Sequence, residues 1–231
     1  FEQWLVNIEP WCISRQIWWG HSIPVYYTKD GKIICANSEE EAKTISGEED
    51  LTPETDVLDT WFSSALWPIY NNSNGISDVL VTGKDIMFFW VARMLMFSLY
   101  FENIIPFKKL YFNGIVLDEN GKKMSKTVGN VINPVEINQE YGKDALRFSL
   151  LLKSSNNKDI RIKKDEIIDS RNFITKIQNI DNFIKHYLIK EFEPNDELDN
   201  WIENTIITYK NNINSYLDEF DFHQACLLLQ F

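Results

Sequence analysis

The sequence predicts an α/β protein whose C-terminal part is helical. Two observations carry this prediction: a strand–helix–strand pattern in the middle of the chain, and apolar residues at helical spacing from residue 133 onward. The chain has 231 residues, of which 44% are hydrophobic and 14% aromatic, so it can bury a sizeable core. This composition excludes disordered and fibrous proteins.

The strand–helix–strand pattern begins at Asp78–Gly83, a short apolar run closed by glycine, which predicts a buried strand. A helix is expected from Lys84 to about Phe101, and Lys109–Val116 predicts a second strand. Such a unit is typical of a right-handed crossover between parallel strands. Ligands of these folds bind at the carboxyl ends of the strands, which here are Thr82-Gly83 and Asn113-Gly114.

The C-terminal part is predicted to consist of helices. Asn133-Pro134 begins one, because proline is tolerated in a first helical turn, and Asp144–Leu152 predicts another. Residues 165–190 and 197–217 carry apolar side chains at helical spacing, which predicts two amphipathic helices of a bundle. We expect a linker containing Pro194 between these two helices.

Cysteine usage and hydropathy narrow the classes of protein further. The three cysteines, Cys12, Cys35 and Cys226, form no CxxC pair, so we expect no disulfide framework, no protein-bound zinc and no other metal site. A reduced, cytoplasmic setting follows from the same observation. The apolar stretch Ile86–Phe101 is too short for a membrane span and contains Arg93, so we expect a buried helix and no membrane association.

The formal net charge of −11 conceals a basic middle part. Residues 106–190 hold 16 basic and 10 acidic side chains, whereas residues 1–105 hold 6 and 15, and residues 191–231 hold 1 and 9. Affinity for a polyanion is therefore expected in the middle part, with a solvated helix surface as the alternative. The densest basic cluster consists of Lys153, Lys158, Arg161, Lys163 and Lys164.

A lysine-rich loop follows the second predicted strand. Asn120-Gly121 predicts a tight turn, and three lysines follow within five residues, before Gly129. Lysines on a loop of this kind suit a transient, negatively charged group such as a triphosphate. The spacing is not that of a P-loop, and a basic surface loop is the alternative interpretation.

The loop also carries a family resemblance. GKKMSKTVGN, with KMSKT at Lys123–Thr127, closely resembles the KMSKS signature of class I aminoacyl-tRNA synthetases. Four further blocks are similar to blocks of the same family in the same order, and together they span nearly the whole chain. These blocks are WCISRQIWWGHSIP at Trp11–Pro24, DVLDTWFSSALWP at Asp56–Pro68, DVLVTGKDIMFFWVARM at Asp78–Met94 and YGKDALRFSLL at Tyr141–Leu151.

The resemblance implies a domain organisation. Residues 1–132 would form the C-terminal half of a Rossmann-type catalytic domain, residues 133–190 a stem-contact helical junction, and residues 191–231 the start of a helical anticodon-binding domain. The chain opens at Phe1 without an initiator methionine and ends inside an apolar run, so we expect it to be part of a longer protein. The family's HIGH signature is not expected in Gly20–Pro24, which lies in the wrong block, so the chain by itself is expected to be inactive.

Within the family, FFWVARM and WCISRQIWWGH are similar to the valine-specific enzymes. This resemblance implies that Trp61, Ile86 and Trp90 wall the side chain of L-valine, since flat aromatic walls limit the volume of an apolar pocket. Ordinary core packing is the alternative for both tryptophans. An isoleucine-specific enzyme and a non-catalytic tRNA-binding remnant are the alternatives for the chain.

The resemblance further implies an ATP site, with Mg²⁺ entering as the ATP complex. Gly83 and Asp85 would lie near the ribose of ATP and the aminoacyl end, and Lys123 and Lys126 would stabilise the departing pyrophosphate as the catalytic residues. The remaining ATP contacts would come from Asn113, Gly114, Val116, Met124 and Ser125. The expected partners are ATP, L-valine and tRNA(Val), with the basic cluster facing the tRNA, and the expected full-length enzyme is a monomer.

Overall fold

The chain folds into mixed α/β structure followed by a helical C-terminal part, as predicted. The computed structural model describes residues 2–71, 76–154, 158–187 and 197–230. The chain divides into two compact units. The first comprises Phe1–Val79 and Asp85–Lys109, and the second comprises Leu80–Lys84 and Leu110–Phe231. The predicted domain boundaries at residues 132 and 190 stay a prediction, and the second lies outside the described residues.

The first unit contains short strands and helices. Its short strands are β1 (Ser14–Arg15), β2 (Val25–Tyr27), β3 (Ile33–Cys35), β4 (Thr52–Pro53) and β5 (Val57–Leu58). Its first four helices are α1 (Glu2–Val6), α2 (Glu39–Ser46), α3 (Thr60–Ala65) and α4 (Trp67–Asn71). β1 pairs antiparallel with β5, and β2 lies between β3 and β4 in an antiparallel sheet. The β1–β5 pair leads directly into α3, so it fixes where that helix begins.

The two predicted long strands are present, but they begin and end at other residues than predicted. β6 (Ser77–Gly83) and β7 (Phe107–Asn113) pair with each other, and the division between the units runs through both. β6 is buried on one side only, because Leu80 and Thr82 are buried while Val81 is 59% exposed. The expectation of a fully buried strand is therefore wrong.

The second predicted strand, Lys109–Val116, is interrupted. β7 ends at Asn113, and a separate short strand, β8 (Val116–Leu117), pairs in parallel with β9 (Ile160–Arg161). Two backbone segments approach closely at the break, because a Cβ atom at Gly114 would lie 1.9 Å from the carbonyl oxygen of Lys158. Only glycine allows the two backbones to pass this closely.

The predicted helix after β6 is present, but its first two turns are irregular. A 3₁₀ turn (Lys84–Ile86) leads into a π-helical turn (Met87–Val91) and then into α5 (Ala92–Glu102). Residues of α5 such as Met94 and Ser98 are buried, whereas Tyr100 is 83% exposed, so only one face of the helix is covered. Within the described ranges, no helix combines the length and the hydropathy that crossing a bilayer requires.

The second unit is built mainly from helices. They are α6 (Pro134–Tyr141), α7 (Lys143–Lys153), α8 (Lys164–Tyr187), α9 (Glu197–Asp218) and α10 (Phe222–Leu229). α6 begins as predicted, because Asn133 accepts a hydrogen bond from the backbone N–H of Val135 and Pro134 occupies the first turn. Tyr141, Ala145, Ile162 and Ile167 form a buried cluster, and α7 packs against both α8 and α10.

The two predicted amphipathic helices are confirmed as α8 and α9 over the described residues, but their apolar faces are only partly covered. Ile167 and Ser170 near the start of α8 are buried, whereas Phe183 near its end is 65% exposed. None of the residues of α9 is buried, and its Trp201 is 63% exposed. The predicted linker at Pro194 lies outside the described residues.

Candidate functional site

The lysine loop starts from a buried carboxylate. Asp118 follows β8 directly and is only 8% exposed. Its Oδ1 accepts hydrogen bonds from the backbone N–H groups of Asn120 (3.0 Å) and Lys122 (2.7 Å). Gly121 has a φ of 76°, and its N–H donates to the carbonyl of Asp118. The predicted tight turn is therefore present, and the Asp118 side chain stabilises it.

Asn130 closes the same loop from its far end. Its Nδ2 donates to Asp118 Oδ2 (2.8 Å) and to the carbonyl of Lys123 (3.3 Å), while its Oδ1 accepts from the N–H of Ser125 (2.9 Å). The Asn130 amide is the main cause that holds the pKa of Asp118 below its usual range, with the backbone N–H groups of Lys122 and Asn120 adding to it. One amide thus fixes both the base of the loop and the backbone of the signature. Hereafter this arrangement is called the Asp118–Asn130 clasp.

The signature contains both anchored and exposed residues. Met124 and Ser125 are half-buried, and Met124 Sδ accepts a hydrogen bond from the N–H of Ile132 (3.4 Å). Lys123 and Lys126 are exposed, and no carboxylate partner is found for either in the described parts of the chain. The loop therefore presents two cationic side chains from an anchored backbone.

A second set of contacts ties the end of β6 to the segment after β7. Lys84 Nζ lies 2.9 Å from Asp159 Oδ1, and the same oxygen accepts from the N–H of Ile115 (3.1 Å). Lys84 is the first cause of a lowered pKa at Asp159. The carbonyl of Ile115 also accepts from Ile160. Both backbone groups of Ile115 are thus engaged within the protein, whereas Asn113, one of the predicted ATP contacts, is exposed.

The predicted pocket walls come from two neighbouring elements of the first unit. Trp61 lies on α3, and its ring stacks on Phe89 of the π-helical turn with 5.8 Å between centroids. Trp90 belongs to the same turn, and its Nε1 donates to the carbonyl of Ser64 on α3 (3.2 Å). Both tryptophans and Ile86 are half-buried rather than fully enclosed, and Asp85 is exposed on the preceding 3₁₀ turn.

The sequence did not reveal the residue that anchors α3. Asp59 is 5% exposed, and its Oδ1 accepts from the N–H of Trp61 (3.3 Å) as the N-cap of the helix. Its Oδ2 accepts from Trp11 Nε1 (2.9 Å) and from Arg15 Nη2 (2.7 Å). Aspartate is a preferred N-cap residue, so the capping role, although not the bonds to Trp11 and Arg15, could have been inferred from the sequence.

Arg93 completes this cluster from α5. Its Nη1 lies 3.9 Å from Asp59 Oδ2, and its guanidinium carbon lies 3.5 Å from the centre of the Trp11 ring. Nη1 is buried and makes no hydrogen bond within the described residues. Burial lowers the pKa of Arg93, which the charge of Asp59 partly offsets. Two guanidinium groups thus share one buried carboxylate.

The five residues of the predicted tRNA-facing cluster form two groups, those with a carboxylate partner and those without one. Lys153 Nζ lies 2.5 Å from Glu166 Oε1 and 2.8 Å from the carbonyl of Arg161, and Lys164 Nζ lies 3.2 Å from Glu140 Oε1. The other three members are exposed and have no carboxylate partner in the part of the chain that the structure describes. They are Lys158, Arg161 and Lys163.

Comparisons with known proteins match most of the chain. A family model described as tRNA synthetases class I (I, L, M and V) matches residues 1–163. The valine–tRNA ligase of Pelagibacter ubique (strain HTCC1062) is 44% identical over 245 aligned positions, which cover 96% of this chain and 28% of the relative. The valine–tRNA ligase of Zymomonas mobilis subsp. mobilis is 46% identical over 202 positions, which cover 80% of this chain and 22% of the relative. The chain thus spans less than a third of the length of these curated relatives.

One solved structure has a similar fold over nearly the whole chain. It is the ternary complex of the Agrobacterium radiobacter K84 agnB2 LeuRS with tRNA and LeuAMS, which matches with a TM-score of 0.77. The match covers 97% of this chain and 36% of that chain, at 22% sequence identity. At this identity the likeness shows the fold alone.

Proposed function

We propose, from the premise that this chain belongs to the class I tRNA synthetases (I, L, M and V), that it supplies the signature-loop half of the catalytic site of a valine–tRNA ligase. The observation that carries the proposal is the clasped KMSKT loop, which presents Lys123 and Lys126 from an anchored backbone. Identities of 44% and 46% to two valine–tRNA ligases support the choice of amino acid.

The proposed reaction has two steps. The carboxylate of L-valine attacks the α-phosphorus of ATP, which gives valyl-adenylate and releases pyrophosphate. The terminal ribose of tRNA(Val) then attacks the valyl carbonyl and releases AMP. Neither step needs covalent chemistry from the protein, so positioning and charge stabilisation account for most of the catalysis.

The exposed lysines of the loop supply charge in the first step. Negative charge moves onto the pyrophosphate as the bond to the α-phosphorus breaks, and Lys123 and Lys126 stabilise that charge. Lysine suits this task because its ammonium is a point charge on a flexible stem, which can follow a group that moves. Mg²⁺ enters with ATP and contributes neutralisation of the phosphate charge.

The nucleotide and the amino acid use separate sets of residues in this proposal. Gly83 and Asn113–Val116 approach the nucleoside of ATP, and the Lys84–Asp159 ion pair holds that backbone in place. Trp61, Ile86 and Trp90 bound the valine side chain, and Asp85 faces the amino-acid end as the exposed charged group beside them. An apolar pocket of this type selects by volume, so it rejects larger side chains better than isosteric ones.

The basic cluster is proposed to contact tRNA phosphates. Lys158, Arg161 and Lys163 are the members whose charges are not paired in the described residues, so they give the largest electrostatic gain. Lys153 and Lys164 keep their carboxylate partners and hold the segment in place. We expect the enzyme to act in the cytoplasm and as a monomer.

The experiment is a chimaera in which this chain replaces the matching 28% of the Pelagibacter ubique enzyme. Valine-dependent exchange of pyrophosphate into ATP should be restored to a level close to that of the intact enzyme. The same enzyme with the matching stretch deleted, and the isolated chain, serve as negative controls. A folded chimaera without valine-dependent exchange would refute the proposal.

A further inference from the structure

The buried carboxylate of Asp59 is bonded to two segments of the first unit. It caps α3 through the N–H of Trp61 (3.3 Å), and it accepts from Trp11 Nε1 (2.9 Å) and Arg15 Nη2 (2.7 Å) in the segment around β1. Its own N–H donates to the carbonyl of Ile13 (2.7 Å). The backbone position of Trp61 therefore depends directly on this side chain.

A second path of contacts leads from Asp59 to the opposite pocket wall. Arg93 lies 3.9 Å from Asp59 Oδ2, and its guanidinium carbon lies 5.7 Å from the ring centre of Phe89. Phe89 in turn stacks on Trp61, with 5.8 Å between the ring centres. Trp90 follows Phe89 on the π-helical turn and is bonded to α3 through the carbonyl of Ser64 (3.2 Å). Both tryptophans are thus linked to the same carboxylate.

An amide cannot take the place of the Asp59 carboxylate, because of the positive charges of Arg15 and Arg93 next to it. Asp59 is the only acidic group shown in contact with either Arg15 or Arg93 among the described residues, and both of its oxygens accept hydrogen bonds. An asparagine has nearly the same shape, but it replaces one acceptor oxygen with an N–H₂ donor. That donor would face other donors, and the buried guanidinium of Arg93 would lose its nearest negative charge.

We propose that Asp59 is a positioning residue that holds Trp61 and Trp90 at the spacing that admits valine and excludes isoleucine. This inference rests on the proposed function and deepens it. Asp59 acts through its neighbours, because its carboxylate is used within the protein and is only 5% exposed. Since isoleucine is larger than valine by one methylene, a small displacement of either wall changes which side chain fits.

The test compares Asp59→Asn with Asp56→Asn in the chimaera described above. Asp56 provides a matched control, because it lies three residues earlier and its Oδ2 accepts only from Gln16 Nε2 (2.6 Å) among the bonds shown. The measured quantity is the ratio of kcat/KM for valine to kcat/KM for isoleucine in pyrophosphate exchange. Asp59→Asn should lower this ratio about tenfold, mainly through KM, whereas Asp56→Asn should leave it unchanged within about twofold.

A merely structural role for Asp59 gives a different result. If Asp59 serves only to keep the protein folded, Asp59→Asn lowers kcat for both amino acids by the same factor. The ratio of the two kcat/KM values then stays unchanged, and that result would overturn the inference. If Asp59→Asn does not fold, Arg15→Gln replaces it, since that side chain is 40% exposed and is bonded to Oδ2 of Asp59, not to the Oδ1 that caps α3. Arg15→Gln should lower the ratio about threefold, and an unchanged ratio would overturn the inference. An unmutated chimaera that is inactive with valine would instead overturn the proposed function.

Discussion

Asp118 and Asn130 are bonded across the base of the signature loop, with Asn130 Nδ2 2.8 Å from Asp118 Oδ2. The twelve-residue separation between them contains every residue of the KMSKT signature. Because the same amide also bonds to the carbonyl of Lys123 and the N–H of Ser125, the clasp sets the backbone from which the lysines extend. The two lysines to which we assign the catalytic role thus extend from a backbone that the clasp holds at both ends.

Removal of the clasp amide should impair activation without unfolding the protein. Asn130→Ala in the chimaera should lower kcat for valine-dependent exchange about tenfold to a hundredfold, because misplaced lysines stabilise the leaving group less well. KM for valine should change little, since the pocket walls belong to the other unit. Asn120→Ala is the matched control, because only the backbone N–H of Asn120 serves the clasp. Full activity of Asn130→Ala would contradict the role assigned to the clasp.

The clasp also predicts a pH dependence. Asn130 holds the pKa of Asp118 below its ordinary value, so the carboxylate contributes stability above its unfolded pKa of about 3.9. That contribution is lost as the pH falls through the lowered pKa of the folded state. In Asn130→Ala the pKa of Asp118 should rise, so the loss should occur at a higher pH. Carboxyl-carbon NMR titration of the chain measures both values, and an equal pKa in the two proteins would show that the amide is not the cause.

The signature lysine should act on chemistry more than on binding. Lys126→Ala should lower kcat for adenylate formation by about 10²–10³, the usual cost of removing one preorganised stabiliser of developing charge. Valine affinity, measured by equilibrium dialysis in the chimaera, should remain within about twofold. Lys122→Ala provides the control, since Lys122 is exposed in the same loop and uses its backbone in the clasp. Equal losses of binding and rate in Lys126→Ala would exclude the proposed role.

The close approach at Gly114 should make that position intolerant of any side chain. A Cβ atom there would lie 1.9 Å from the carbonyl oxygen of Lys158, and a backbone atom cannot move aside cheaply. Gly114→Ala should therefore cost about 1–3 kcal/mol of unfolding free energy. Asn113→Ala changes an exposed neighbour and should stay within about 0.5 kcal/mol. Thermal unfolding, monitored by circular dichroism, gives the midpoint temperature of each variant. Equal midpoints for Gly114→Ala and Asn113→Ala would mean that the segments around Gly114 and Lys158 move apart at little cost.

The unpaired members of the basic cluster should dominate the salt dependence of tRNA binding. Lys163→Ala should reduce the slope of log affinity against log salt by about 0.9, the contribution of one phosphate contact. Lys185→Ala is the control, because that lysine is paired with Asp181 (2.6 Å) on α8. Titration of the chimaera with tRNA(Val) at several salt concentrations gives both slopes. A response that is flat, or equal in the two variants, would mean that Lys163 is merely solvated.

Local signals in the sequence were sufficient to predict some elements. The start of α6 was predicted because its cap and its first-turn proline are adjacent in sequence. The tight turn at Asn120-Gly121 was predicted because its two defining residues are likewise neighbours in sequence. The close approach at Gly114 was not predicted, because it involves the backbone of Lys158, which is distant in sequence.

The supporting residues of the candidate site were harder to predict than the residues that they support. KMSKT and the two tryptophans were found through resemblance, which does not describe how they are held. The bonds of Asp59 reach Trp11 and Arg15, which are 48 and 44 residues away, so no local pattern predicts them. Asn130 was within the signature block, but its role depends on the buried position of Asp118, which only the fold shows.

The most direct test of the central claim is the amino-acid profile of pyrophosphate exchange by the chimaera. Each amino acid is supplied singly at the same concentration, and the exchange rate is compared with that of the intact Pelagibacter ubique enzyme. We predict the highest rate with valine, and a much lower rate with isoleucine. A higher rate with isoleucine than with valine would contradict both the proposed specificity and the roles assigned to Trp61 and Trp90.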